Sequence, residues 1–160
     1  MELTQEQVKF YLPKINNIFQ QAYGDKYLGL DWINKRATNF YIFKVENSVV
    51  GCAVMDKNKI IAIEINSAGK GHGTKLLTKI KQHNPNAWVT VEIDSVAMIK
   101  ALAKSGFTLV NNADKIKELV KDEIAFSQTI ATPSLETQGL AFVRLENSSH
   151  STVYAQLTFN

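Results

Sequence analysis

The sequence has little of what would give a chain a covalent frame, an anchor or a strong field. It has one cysteine, Cys52, so an internal disulfide is excluded, as expected of a reducing, cytoplasmic setting. Cys52 lies within the apolar run 49–55 and reads as a small core residue rather than a nucleophile. No apolar run approaches the length needed to span a bilayer, so no membrane partner is expected. The start, Met1-Glu2-Leu3-Thr4, lacks the basic flank and apolar stretch of a secretory signal. The net charge is only +3, compatible with an anionic ligand but too small for a nucleic-acid surface. Repeats, low-complexity tracts and an interdomain linker are also missing. What remains is ordinary: 45% hydrophobic and 21% charged residues over 160 positions, read as a single domain, 1–160, long enough to bury a core.

The first third reads as helical. Thr4-Gln5-Glu6-Gln7 is a capping box, and Val8, Tyr11, Leu12, Ile15, Ile18, Phe19 and Ala22 follow at helical spacing. Pro13 is expected to kink this helix or divide it near Leu12, and Gly24 to end it. Residues 31–36 suggest a second short helix capped by Asp31. From residue 40 the pattern changes to short apolar, β-branched runs at 40–45, 49–55 and 60–65, separated by the polar turns 46–48 and 56–59. That is the signature of an antiparallel meander. A helix over 71–82 follows, broken by Asn84-Pro85-Asn86, then a strand at 88–93. Asp94 or Ser95 caps the next helix, whose stripe is Val96, Ile99, Leu102 and Ala103. Gly106 ends it before a strand at 107–110. Further on, 114–126 reads as a charged helix, 129–139 as a polar connection, and 140–145 and 152–159 as a strand hairpin. The fold class is therefore α/β in the α+β sense, with a mixed, mostly antiparallel sheet.

Between the third strand and its helix lies the most informative stretch, Ala68-Gly69-Lys70-Gly71-His72-Gly73-Thr74-Lys75. Three alternating glycines run into a helix N-terminus, where unpartnered N–H groups and the helix dipole favour an anion. Glycines let a phosphate approach the backbone. A plain strand-to-helix turn is the simpler alternative. The Gly-Lys-Ser/Thr ending of a nucleoside-triphosphate loop is missing, and an antiparallel meander is wrong for a nucleotide-binding parallel sheet.

Strand, Gly-x-Gly loop and helix, followed by strand, helix and the pair Gly106-Phe107, resemble the GNAT superfamily of acetyl-coenzyme-A-dependent N-acyltransferases over residues 40–110. Gly71 and Gly73 match the small positions of that family's phosphate loop. Ala68 stands where the family prefers Arg or Gln, and Leu102 where many members carry a tyrosine that protonates the leaving thiolate. The resemblance implies a sheet flanked by helices on both faces and a site for acetyl-CoA. Its pyrophosphate would lie on Ala68, Gly69, Lys70, Gly71, His72, Gly73 and Thr74. The acetyl carbonyl would meet backbone N–H groups of the preceding strand, at Ile63, Ile65 and Asn66.

Acetyl transfer to an amine needs a proton acceptor, stabilisation of the developing oxyanion and a proton for the thiolate. Glu64, among isoleucines, is the candidate base, with solvent exposure or a lysine pair as its bland alternatives and Glu92 and Asp94 as rivals. Ser95 is the candidate thiolate-side donor, with helix capping as its alternative. His72 reads as a loop side chain. His83 and His150 show no metal-ligand spacing, so no metal is expected. The acceptor, a small-molecule or peptide amine, would be selected by the N-terminal helices, where Tyr23, Tyr27 and Trp32 line a cleft or pack in the core. Residues 111–160 form an atypical C-terminal helix and hairpin that completes the sheet, pairs with a second copy in a homodimer, or binds a partner. The competing functional reading is a GNAT-like module that binds coenzyme A or a protein without turnover.

Overall fold

The computed structural model describes residues 1–24, 29–66, 70–92, 95–110, 113–120, 127–131, 142–147 and 152–160. They fall into two compact units, Met1–Ala87 and Trp88–Asn160. In the first unit, helices α1 (Gln5–Tyr23) and α2 (Leu30–Arg36) precede strands β1 (Asn39–Val45), β2 (Ser48–Asp56) and β3 (Lys59–Ile65), and helix α3 (His72–His83) closes it. The three strands form an antiparallel sheet in the order β1-β2-β3.

The capping box at the start of α1 is complete: Gln7 N–H donates to the Thr4 hydroxyl, and Thr4 N–H to the Gln7 side chain. The helix runs through Pro13 without division. Its buried face on Ile15, Ile18 and Phe19 outweighs the local cost of an interior proline, while Ala22 is exposed. For α2, Gly29 rather than Asp31 occupies the N-cap position, with no side-chain cap bond. The β1–β2 turn carries Glu46 and Asn47 at φ of 49° and 67°, the doubly left-handed form that matches strand twist.

Alternation along the strands gives the sheet two covered faces. Phe40, Ile42, Cys52 and Val54 join Ile15, Ile18, Phe19 and Ile33 in one apolar cluster. Intervening residues meet α3: the Tyr41 hydroxyl accepts from the Asn84 side chain at 2.7 Å, and Phe43 lies against His72 with ring centroids 5.2 Å apart. Leu76, Leu77 and Ile80 form the buried face of α3.

The second unit contains β4 (Val89–Glu92), α4 (Val96–Lys104), α5 (Ala113–Val120), β5 (Ser127–Ala131), β6 (Phe142–Asn147) and β7 (Thr152–Phe159), with an antiparallel sheet in the order β4-β7-β6-β5. Strand β5 overlaps the stretch read as polar connection; pairing with β6 from Ser127↔Glu146 to Ala131↔Phe142 outweighs its weak apolar pattern. The expected strand at 107–110 is reduced to one bridge, Leu109↔Phe159, flanked by Thr108–Asn160 and Val110–Thr158 hydrogen bonds. On α4 Leu102 is buried, but Val96 and Ala103 are exposed, so the stripe is narrower than its sequence spacing suggests. The two units carry a mixed α/β architecture with mostly antiparallel strands.

Candidate functional site

The site begins with the edge of β3. Asn66 N–H donates to the Val50 carbonyl at 2.8 Å, and Cys52 pairs with Glu64 in the β2–β3 register. In an antiparallel pair, residues alternate between directing both backbone groups at the partner strand and directing both away. Asn66 and Glu64 therefore face β2, whereas Ile63 and Ile65 direct theirs to the opposite edge. Among the described residues, no strand pairs with that edge. Two of the three expected backbone contacts, Ile63 and Ile65, thus present N–H groups on an open edge. The third, Asn66, already donates to Val50.

Glu64 is half-buried on the α1 side of the sheet, opposite Cys52. Burial pushes its carboxyl above the usual glutamate range, and the approach of the Ile65 backbone N–H pulls it partly back. Since that N–H points to the open edge, the carboxylate is drawn to the same edge. Burial first, and then the Glu64 charge, pushes the Cys52 thiol up to about 12. Cys52 is fully buried and is an inert core thiol.

A residue that sequence spacing did not place here completes the cluster. The Tyr23 hydroxyl, at the end of α1, donates to the Ile63 carbonyl at 3.2 Å. The tyrosine ring stacks on Phe19, with centroids 5.9 Å apart and planes inclined by 23°. Burial, and next the Glu64 charge, raises its phenol to about 12. The sequence marked Tyr23 only as an aromatic that lines a cleft or packs in the core, without its partner. The hairpin register that brings it to Ile63 lies forty residues downstream.

The glycine loop meets the end of β3 through Ile65. Gly71 is the N-cap residue of α3 in the left-handed region, at φ 74° and ψ 10°, a conformation strained for a residue with a Cβ. It provides no side-chain cap, and the first turn of α3 has no acidic residue, so no carboxylate of that turn opposes an anion. A Cβ built on Gly71 would meet nothing within 4 Å. That open approach fits a phosphate group. Gly73 faces Ile65: a Cβ built on it would stand 3.7 Å from Ile65 Cγ1, an ordinary van der Waals contact. From the other side, a Cβ on Gly51 would collide with Ile65 Cδ1. Any side chain at the glycine that interrupts the second strand would therefore have to displace the end of the Ile65 side chain, another feature the sequence left unexplained.

Of the remaining expected site residues, Lys70 is exposed and His72 and Thr74 are partly buried at the start of α3, with His72 against Phe43. Ala68 and Gly69 lie outside the described residues, as do Tyr27 and Asp94. Ser95 belongs to the second unit. It occupies the N-cap position of α4, but its side chain makes no cap bond. Among the described residues no His, Cys, Asp and Glu group is arranged to hold a metal. Nor is any helix there long and apolar enough to cross a membrane.

No protein-family profile matches the chain, and no curated protein sequence matches it. Solved structures do. The ribosomal-protein-alanine N-acetyltransferase of Brucella melitensis superimposes with a TM-score of 0.58 over 99% of this chain and 97% of its own, at 13% identity. The fold is GNAT-like. The protein yncA of Salmonella typhimurium, named as an acetyltransferase and solved with its cofactor acetyl-CoA, matches with a TM-score of 0.56 at 14% identity, over 94% of this chain and 87% of its own. The IAA acetyltransferase of Bacillus cereus matches at 0.50 and 18% identity, over 99% and 95%. At these identities the GNAT likeness is one of fold.

Proposed function

We propose that this chain is an acetyl-CoA-dependent N-acetyltransferase acting on a primary amine. The observation that carries the reading is the junction at Ile65. There an open strand edge bearing a half-buried glutamate adjoins a helix start whose N-cap residue, Gly71, has no side chain. The GNAT-like fold is consistent with both halves of that arrangement.

The residues present fit acetyl-CoA. The approach to Gly71 is open, and the first backbone N–H groups of α3, with Lys70 beside them, suit a pyrophosphate. When bound, acetyl-CoA supplies an acetyl thioester whose carbon–sulfur bond is exchanged for the new carbon–nitrogen bond, releasing the free thiol. Ile63 N–H, on the open edge, is a donor for charge developing on an acyl oxygen. Glu64 takes the proton that the amine nitrogen loses as it attacks. Its burial brings its basicity closer to that task than an exposed carboxylate's.

A module that binds coenzyme A without turnover is the second reading. Its supporting observation is Leu102, fully buried and without a hydroxyl at the position where the resemblance leads one to expect a tyrosine. Thermal unfolding with acetyl-CoA, followed by thiol release with a panel of primary amines, separates the two. A transferase shows both a shift and amine-dependent thiol release. Glu64→Gln then keeps the shift and lowers kcat by about 10²-fold, the low end for losing a positioned base. A shift without turnover leaves the binding module, and an unchanged kcat removes Glu64 as the base.

A further inference from the structure

We propose a second ligand site in the first unit, apart from the junction at Ile65: a groove between β1 and α3 that takes a small carboxylic acid with an apolar tail, its carboxylate held by Lys75 and Lys79. The inference does not depend on the transferase reading. The groove lies at β1 and the proposed acetyl edge at β3, the two outer strands of the three-stranded sheet.

The groove has a volume of about 560 Å³, the size of a small-molecule site. Met1, Ile42 and Phe43 line it from the sheet and Leu76 from the helix, so its walls are largely apolar. Strand pairing brings Met1 there: Ile42 N–H donates to the Met1 carbonyl at 2.9 Å, and Leu3 N–H to the Phe40 carbonyl at 2.8 Å. Lys75 and Lys79, four residues apart, share one face of α3. Both line the groove and both are exposed. Side chains of this kind lay their stems on apolar surface and keep the ammonium at the rim.

Charge of one sign gathers at this rim. Among the described residues no carboxylate lines the groove, and neither Lys75 nor Lys79 has an ion-pair partner. The Met1 amino group, which donates to the Ile42 carbonyl at 2.7 Å, is a third cation. Burial first, and then the Lys79 charge, lowers its pKa, and the Glu2 charge opposes them. Glu2 is engaged elsewhere: it accepts from the Asn39 side chain at 2.6 Å and lies 3.7 Å from His83. Lys44 also lines the groove, but its ammonium stands 4.8 Å from the centre of the Tyr11 ring, on α1. An anion at the rim offsets the repulsion between the Met1 amino group and Lys79. Neighbouring ammonium groups suit the two oxygens of one carboxylate. The walls decide what that carboxylate carries. A bare ion gains nothing from Met1, Ile42 and Phe43, whereas an alkyl chain buries itself on them.

The test is calorimetric titration of the chain with decanoate, beside decanol, which lacks the charge, and acetate, which lacks the tail. Decanoate is expected to bind one per chain and more tightly than either. From hexanoate to decanoate the affinity should rise about two- to fourfold per methylene. Lys79→Gln is expected to weaken decanoate about threefold and Lys79→Glu about tenfold, the scale of an exposed ion pair removed and then reversed. Thr78→Phe, which replaces a groove-lining side chain bonded only to the Thr74 carbonyl of its own helix, fills the space and should abolish binding. Lys81→Gln removes a lysine of the same helix that donates to the Pro85 carbonyl and should leave the affinity unchanged. Saturating acetyl-CoA should leave it unchanged too. Equal affinity for decanoate and decanol, or unaltered affinity in both Lys79 variants, overturns the proposal. Displacement by acetyl-CoA overturns it as well, since decanoate would then occupy the coenzyme site. No binding of decanoate at all overturns this site alone, because amine-dependent thiol release tests the transferase reading separately.

Discussion

Glu64 is held in surroundings that disfavour its charge, and this has a consequence for stability apart from catalysis. Burial raises its carboxyl pKa in the folded chain, so folding favours the protonated form. Its contribution is fully present below the ordinary glutamate range, below about pH 4, and is lost as pH rises through the higher folded value. Glu64→Gln, neutral at every pH, should therefore be more stable than wild type at pH 8, with the difference closing by pH 4. Urea unfolding of both proteins at the two pH values measures it, and a gap independent of pH would mean that the ionised carboxylate is not penalised. Residue type and apolar neighbours were legible here from Ile63-Glu64-Ile65. The face was not, because alternation alone leaves two choices. The Cys52↔Glu64 register makes the choice.

Elements with strong local signals came through the sequence with their bounds nearly intact. The capping box set the start of α1, and the turn at Asn84 set the end of α3, where Asn84 also bonds Tyr41. The elements misread were those whose reason lies elsewhere in the chain. Strand β5 forms because β6 is there to pair with it, and the Leu109 stretch meets β7 only at a bridge. At Pro13 the sequence left a kink or a division open; the helix is undivided, with Ile15, Ile18 and Phe19 packed beyond the proline. Pro13→Ala returns a donor to the Lys9 carbonyl and relieves the ring clash at an exposed position. It should stabilise the chain by about 1–3 kcal/mol, less than or equal to the full interior-proline cost. A rise in the urea midpoint with unchanged slope is the expected reading, and no rise would mean that the helix has already absorbed the defect.

For the molecule as a whole, the decisive property is whether the start of α3 takes a phosphate. Acetyl-CoA at 100 times its Kd should stabilise the fold by about 2.7 kcal/mol. Gly71→Asn and Gly71→Glu both place a side chain in open space at positive φ, at a strain of roughly 1 kcal/mol. Only the second adds negative charge. Thermal unfolding should show the ligand shift retained in Gly71→Asn and lost in Gly71→Glu, whereas equal shifts would move the phosphate site elsewhere. The loop was legible because glycine spacing is local. The edge that faces it was not, because it depends on hydrogen-bond parity across a hairpin. Ile65 joins the two. The end of its side chain fills the space that a Cβ on Gly51 would enter, whereas a Cβ on Gly73 would only touch it at ordinary van der Waals distance. Gly51 and Ile65 therefore share one volume, and a change at one asks the other to shift. Among related chains, a larger residue at the position of Gly51 should accompany a shorter one at that of Ile65, so that side-chain size is inherited as a pair across β2 and β3.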